Sequence, residues 1–179
     1  METIHRFLSA MFLPGDVFEV RAPKTLERIG ADYASTVSGY FNDFTKAAEA
    51  IAELDRSKRA PGIYVTINPV NPALLARSAN RLKAKARETT QDRDITTRRW
   101  LLLDIDPVRP AGVSSTDAEL VKAKAKAGAV RDWLASTWGL PHVQGMSGNG
   151  YHLLYRIDLP ADDGGLVKLL LKFLADRFD

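Results

Sequence analysis

Two aspartates one residue apart, Asp104 and Asp106, close the apolar run "WLLLDIDP". Along a strand, residues i and i+2 point to the same side and lie roughly 6–7 Å apart. Carboxylates at that spacing on a strand end suit a pair of divalent cations, which in two-metal sites sit about 3.5–4 Å apart. Hard oxygen ligands favour Mg²⁺ or Mn²⁺. The alternative is a strand end whose acids reach solvent or cap the next loop. The chain carries its own control. Asp92 and Asp94 share the spacing but sit in a polar, basic stretch with no strand before them, and read as a solvated loop.

A second stretch, "QGMSGNGYHLLYRID", supplies a different chemistry. Ser147, Gly148, Asn149 and Gly150 can bring backbone amides and a hydroxyl close to an anion, because glycine lets the backbone approach. His152 follows and can donate from a ring nitrogen to a phosphate oxygen. Taken alone, the same residues are a plain Asn-Gly turn with a surface histidine. Together with a metal-binding strand end, they suit a nucleoside triphosphate. Asp158 lies six residues beyond His152, or roughly 20 Å along a strand. It is therefore expected to end its strand rather than join the site, with Asp162 and Asp163 in an acidic loop. His5 and His142 have no partners at metal-ligand spacing. Tyr151 is the aromatic expected to reach a base or sugar, whereas Trp100, Trp133 and Phe173 read as core.

The elements that must position these residues follow from periodicity and punctuation. Residues 3–13 read as a short amphipathic helix stopped at Pro14-Gly15. "DVFEVRAP" alternates as a strand ended by Pro23. "SGYFNDF" reads as a loop, with Asn42 or Asp43 capping a helix that places Phe44, Ala47, Ala48, Ile51 and Leu54 on one face. "GIYVTINP" is a strand by composition, and a helix is expected from about Pro72 to Ala86. "WLLLDID" reads as a buried strand. Thr116 and Glu119 form a capping box for a helix carrying Leu120, Ala123, Ala127, Val130, Leu134 and Trp138 on one side, with Gly139 just past its end. "HVQGM" and "YHLLYRI" flank the Asn-Gly turn as a β-hairpin. A last amphipathic helix covers Leu166 to Asp179. A hairpin breaks strict βαβ alternation, so the class is α+β with a mixed or antiparallel sheet.

Composition narrows the function classes. A chain of 179 residues, 45% hydrophobic and 26% charged, buries a real core, which excludes disordered and collagen-like classes. There is no cysteine, so disulfides and cysteine–zinc sites are excluded in this stretch and a reducing, cytoplasmic setting is expected. The opening "METIHRFLSAMFLPGD" has an apolar patch of about four residues, far short of a signal core or a membrane span. Between residues 77 and 99, eight basic residues stand against three acids, an excess larger than the whole-chain net charge of +3. Within it Arg81, Lys83, Lys85 and Arg87 suit a nucleic-acid path, since phosphate neutralisation is Lys and Arg work. The bland counterpart is a solvated helix face.

In combination, "WLLLDIDP" and, at a distance, "SGNGYHLLY" resemble the first two motifs of archaeo-eukaryotic primase-polymerases, hhhDhD and sGxGyH. The likeness is to the branch found in bacterial plasmid, phage and CRISPR-associated proteins. It extends through "GYF", "GIYVTINPV", "DPVRPAG" and "YRIDLP", and so over most of the chain. The resemblance implies an N-terminal αβ unit (residues 1–98) joined to an RRM-like palm (99–179). It further implies a DNA primase/polymerase reaction, in which a 3′-hydroxyl attacks the α-phosphate of a nucleotide and pyrophosphate leaves. Asp104, Asp106 and His152 would be catalytic, with Asp104 and Asp106 on two Mg²⁺ or Mn²⁺ ions. Ser147, Gly148, Asn149, Gly150 and His152 would hold the nucleotide. Template and primer DNA would be the partners, with replication, repair or a mobile element as the setting. A helicase or further replication domain would be typical beyond the C-terminus. The family's third motif, a hydrophobic residue followed by Asp, comes after the helix that closes this sequence. The stretch is therefore expected to be short of one metal ligand and weak in polymerisation on its own.

Two rivals remain. A haloacid-dehalogenase-type phosphatase also uses D-x-D after an apolar strand, with Asp104 as nucleophile and Asp106 as acid. It leaves "SGNGYH" without a task and lacks a convincing later lysine and acidic motif. A non-catalytic nucleic-acid-binding domain with an incomplete site is the other.

Overall fold

A computed structural model of the chain describes residues 1–110, 113–139 and 142–178. The chain is α+β and divides into two compact units, Met1–Arg98 and Arg99–Asp179.

The first unit is built on a three-stranded antiparallel sheet of order β2-β1-β3, from β1 (Phe18–Leu26), β2 (Ala34–Phe41) and β3 (Tyr64–Val65). Helix α1 (Glu2–Met11) buries Leu8 and Met11, and α2 (Phe44–Arg56) buries Ala47, Ala48, Ile51 and Leu54. Asp43 caps α2 by accepting from the amides of Thr45 and Lys46, both at 3.0 Å. Phe12 stacks on Phe18 at 4.4 Å and begins an aromatic core that continues to Phe41.

Several expectations are corrected here. The strand expected to stop at Pro23 runs on to Leu26. Its register with β2 shifts between Ala22 and Thr25, and Lys24 takes φ +53°. A bulge is where a strand tolerates a proline, since no ladder hydrogen bond is asked of it there. The segment read as a loop at "SGYF" is the end of β2, whose last five residues are all buried. Pairing with β1 decides this, not local propensity. "GIYVTINP" forms a ladder only at Tyr64–Val65; Val70 then bridges to both Val17 and Ile95.

The helix expected from Pro72 to Ala86 is a short 3₁₀ turn, Pro72–Arg77, capped by Asn71. Beyond it the chain is extended along the free edge of β2. Ser38 and Lys83 exchange both backbone hydrogen bonds, and the amides of Tyr40 and Asn80 bond to Ser78 and Tyr40 respectively. Asn80 and Lys85 take φ +50° and +56°, which no helix can pass through. Gly39 lies under this crossing: a Cβ there would be 2.0 Å from the Arg81 carbonyl oxygen. An unpaired strand edge outweighed the weak helical pattern of "LLARSANRLKAKA".

The second unit holds all but the first two residues of β4 (Thr97–Ile105), with α3 (Asp117–Trp138), β5 (His142–Met146), β6 (Tyr151–Pro160) and α4 (Leu166–Phe178). Asp179, the expected end of the last helix, lies outside the described residues. The sheet order is β4-β6-β5, and β5 and β6 are antiparallel with Gly145 opposite His152. The crossover from β4 to β5 through α3 leaves room for β6 between them, which is the split β-α-β arrangement of an RRM-like sheet. Leu101, Leu103 and Ile105 of β4 pack with Leu153 and Tyr155 of β6 against Ala127, Val130 and Leu134 of α3 and Leu174 of α4. Both halves of the expected capping box are present: Glu119 N donates to Thr116 Oγ1 at 3.3 Å and Thr116 N to Glu119 Oε2 at 2.8 Å. Gly139 ends α3 in the left-handed conformation, φ +62°.

Three side-chain expectations change. Trp138 and Phe173 are exposed, flanking the partly buried Trp133. Asp158 does not end its strand, because β6 continues to Pro160. Asp158 pairs with Arg156 at 2.7 Å and with Arg99 at 3.7 Å. Asp162 and Asp163 accept from the amides of Gly164 and Gly165 at the entry to α4. Among the described residues, no helix is long and apolar enough to cross a membrane.

Candidate active site

The burial of β4 alternates, with Leu101, Leu103 and Ile105 inward and Asp104 and Asp106 exposed on the other side. Period-2 geometry thus puts both carboxylates on one face at the strand's end. Asp106 is the first residue past β4, and a following proline, here Pro107, disfavours helical backbone at that position.

In β6 the same alternation sends Tyr151, Leu153 and Tyr155 toward the helices and His152 to the opposite face. His152 Nε2 lies 3.3 Å from Asp104 Oδ1. The imidazole thus stands beside the first carboxylate of the pair. Asp158 beside Arg99 and Gly150 beside Ile105 show that β6 runs antiparallel to β4, which brings the hairpin tip to the acid end. Tyr151 packs against the helix-side core, so the residue expected to reach a base points away from His152. Gly145, across from His152, leaves open space where a Cβ would stand.

Gly150 is pressed on the acid pair. A Cβ there would meet Asp106 Oδ1 at 2.3 Å and the Ile105 carbonyl oxygen at 2.4 Å. Gly148 takes φ +97°, which favours glycine. The turn is closed by two hydrogen bonds between Ser147 and Gly150: Ser147 N to Gly150 O at 3.0 Å and Gly150 N to Ser147 Oγ at 2.9 Å. Ser147 Oγ therefore accepts within the turn and keeps its own proton to donate. The amides of Gly148 and Asn149 have no acceptor among the described residues. Asn149 is engaged elsewhere: its side-chain oxygen accepts from Ser115 N at 3.2 Å and its carbonyl from Ser115 Oγ at 2.6 Å. It anchors the turn to the segment before α3.

Arg109 was not singled out from the sequence. Its Nη2 lies 3.1 Å from Asp106 Oδ2, and its Nη1 donates to the Val113 carbonyl at 2.8 Å. The only available signal was a basic residue three positions after the second aspartate. A basic side chain therefore stands beside each carboxylate, His152 by Asp104 and Arg109 by Asp106.

Among the described residues, no group of three His, Asp or Glu side chains is placed to hold a metal ion. Asp104 and Asp106 fit a hard divalent cation as a two-carboxylate set, exposed and on one side. The control pair behaves differently: Asp92 to Asp94 form a 3₁₀ turn in which Asp94 Oδ2 accepts from Gln91 N at 2.9 Å.

In the first unit all four predicted basic residues are exposed, but they do not share one surface. Lys83, Lys85 and Arg87 line a cleft of about 650 Å³ with Arg77, floored by Ser38 and Tyr40. Its one acid, Glu88, pairs with Arg77 at 3.1 Å. Arg81 lines a neighbouring hollow in which Lys46 and Arg59 stand with Glu49 and Glu53. An adjoining cleft with Arg21, Arg87 and Arg93 also carries Asp92 and Asp94, so it is much closer to neutral.

Compared with protein-family models, with curated proteins and with solved structures, the chain finds no match.

Proposed function

We propose that this chain is the catalytic region of a cytoplasmic primase-polymerase, a nucleotidyltransferase that joins nucleotides on a DNA template in replication, repair or mobile-element maintenance. One observation carries the reading: Asp104 and Asp106 share a face at a strand end, with His152 Nε2 3.3 Å from Asp104 and the glycine turn in contact with Asp106. Asp104 and Asp106 would hold Mg²⁺ or Mn²⁺, which when bound lowers the charge on attacking and leaving oxygens. The Ser147 hydroxyl, the amides of Gly148 and Asn149, and His152 would donate to the triphosphate. Gly150 lets the turn come close, and Asn149 holds it there. The cleft of Lys83, Lys85, Arg87 and Arg77, which has Glu88 as its one acid, suits a DNA backbone better than the hollow of Arg81, where Glu49 and Glu53 offset Lys46 and Arg59. A phosphatase using Asp104 as nucleophile would leave the turn and His152 without a role.

Calorimetric titration of a nucleoside triphosphate, with and without Mn²⁺, tests the reading on the native chain and on Asp104→Ala/Asp106→Ala. Binding should require Mn²⁺ and vanish in the double variant. Binding that survives the loss of both carboxylates, or no binding at all, overturns it. DNA binding without metal-dependent nucleotide binding would favour a non-catalytic DNA-binding domain.

A further inference from the structure

Arg109 makes an incomplete set of contacts beside the acid pair. Its side chain is only 17% exposed, and it meets Asp106 through one Nη and one oxygen. Arginine–carboxylate pairs are frequently bidentate, with two parallel N–H···O bonds. The second Nη is committed to the Val113 carbonyl at 2.8 Å. The Nε–H is buried and has no acceptor among the described residues. A guanidinium does not shed its proton, so this donor cannot be silenced, and a buried donor left unmet is rare in a native fold without a reason.

The surroundings point to an anion as the missing acceptor. The segment carrying Arg109 is tied to the hairpin tip through Ser115 and Asn149. Donors therefore flank the carboxylates: Arg109 Nε, the Ser147 hydroxyl, and the amides of Gly148 and Asn149. A cation taken up by Asp106 would compete with the guanidinium for that carboxylate. A buried, permanently charged group then needs a new partner of negative charge.

We propose that Arg109 is a phosphate-contacting residue of the nucleotide site. It neutralises Asp106 while no divalent cation is bound, and donates through Nε and one Nη to a phosphate oxygen when a cation occupies the carboxylates. This rests on the primase-polymerase reading of the acid pair, and no covalent step is involved.

The test uses Arg109→Gln and Arg109→Lys with three probes: Mn²⁺ alone, followed by the signal of the free ion; ATP or dATP with Mn²⁺; and inorganic tripolyphosphate with Mn²⁺. In Arg109→Gln, Mn²⁺ affinity should hold or rise, because a competing cation has left Asp106. Affinity for both triphosphates should fall by about 10- to 100-fold, the usual worth of a charge-assisted hydrogen bond. An equal fall for tripolyphosphate assigns the contact to phosphate and not to the nucleoside. Arg109→Lys should recover part of the loss. If Arg109→Gln does not fold, Arg109→Lys carries the test, with a smaller loss that is again equal for the two triphosphates. Unchanged triphosphate affinity in a folded variant overturns the proposal, as does Mn²⁺ affinity that falls in step with it, which would mean that Arg109 only holds Asp106. Either result leaves the primase-polymerase reading standing; a native chain that binds neither Mn²⁺ nor triphosphate overturns both.

Discussion

The contact between Gly150 and the acid end of β4 can be tested with a matched pair of substitutions in the same hairpin. Neither Gly150 nor Gly145 has positive φ, so alanine at either position is free of backbone strain and the comparison isolates sterics. At Gly150 the new Cβ would stand 2.3 Å from Asp106 Oδ1 and 2.4 Å from the Ile105 carbonyl oxygen. The carboxylate can rotate away, but the Ile105 carbonyl belongs to a paired strand. Reaching even 3.0 Å, below which real Cβ contacts are essentially never found, takes a shift of about 0.6 Å (3.0 minus 2.4). Overpacking of this kind costs roughly 1–3 kcal/mol. If the second unit, the size of a small domain, melts as one transition, that is on the order of 4–8 °C per kcal/mol. At Gly145 nothing lies within 4 Å, and an added methyl in a strand should be neutral or stabilising by about 0.5–1 kcal/mol. Thermal unfolding by circular dichroism gives the stability comparison, and Mn²⁺-dependent triphosphate binding gives the functional one. Gly150→Ala should melt lower and bind more weakly, with Gly145→Ala at or above the native midpoint. Equal midpoints for the two variants would refute the reasoning, since the geometry treats the two glycines oppositely.

Two further outcomes are expected in the first unit. Lys85→Gly removes both a left-handed lysine and a cation of the positive cleft. It should raise stability by about 1 kcal/mol while lowering the log–log salt slope of single-stranded DNA binding by about 0.7, with Arg81→Ala changing that slope less; a slope unmoved by Lys85→Gly removes the cleft from the nucleic-acid path. The second concerns Glu19, fully buried in β1, where it accepts from Arg21 Nη2 at 2.6 Å, from Thr90 N at 3.0 Å and from Ser38 Oγ. Burial pushes its carboxyl up, but the hydrogen bonds from Arg21, Ser38 and Thr90 outweigh it and hold the group below the usual glutamate range. A folded-state pKa below the unfolded one adds stability that is complete above the unfolded pKa and lost as pH falls through the folded one. Glu19→Gln should therefore cost about 1.5–3 kcal/mol near neutrality, the worth of hydrogen bonds to a charged group, by urea unfolding, with the gap to the native protein closing along the acid limb. A gap of constant size across that limb would contradict the ionised assignment.

Features governed by near neighbours in sequence were legible without a structure. The alternation of "WLLLDID" placed both carboxylates on one face, because a strand's period is a property of the backbone itself. The capping box of Thr116 and Glu119, the Asp43 cap, the Asn-Gly hairpin and the separation of Asp158 from His152 all depend on residues a few positions apart. Where a distant strand decided the outcome, local pattern misled. Ala34–Phe41 is a strand because β1 pairs with it, and residues 78–86 are extended because the edge of β2 takes their amides and carbonyls. Neither partner is encoded in the segment itself. The site divides the same way. Residue types and strand alternation were enough to name the residues able to do chemistry and the side of the strand on which the acids stand. That His152 meets Asp104, that Arg109 meets Asp106, that Asn149 serves as an anchor, and that Gly150 is a contact as well as a turn residue came from the folded chain. Those are distances between segments some 35 to 50 positions apart, or across a loop whose course no periodicity specifies, and they exist only once the sheet has set its strand order and register.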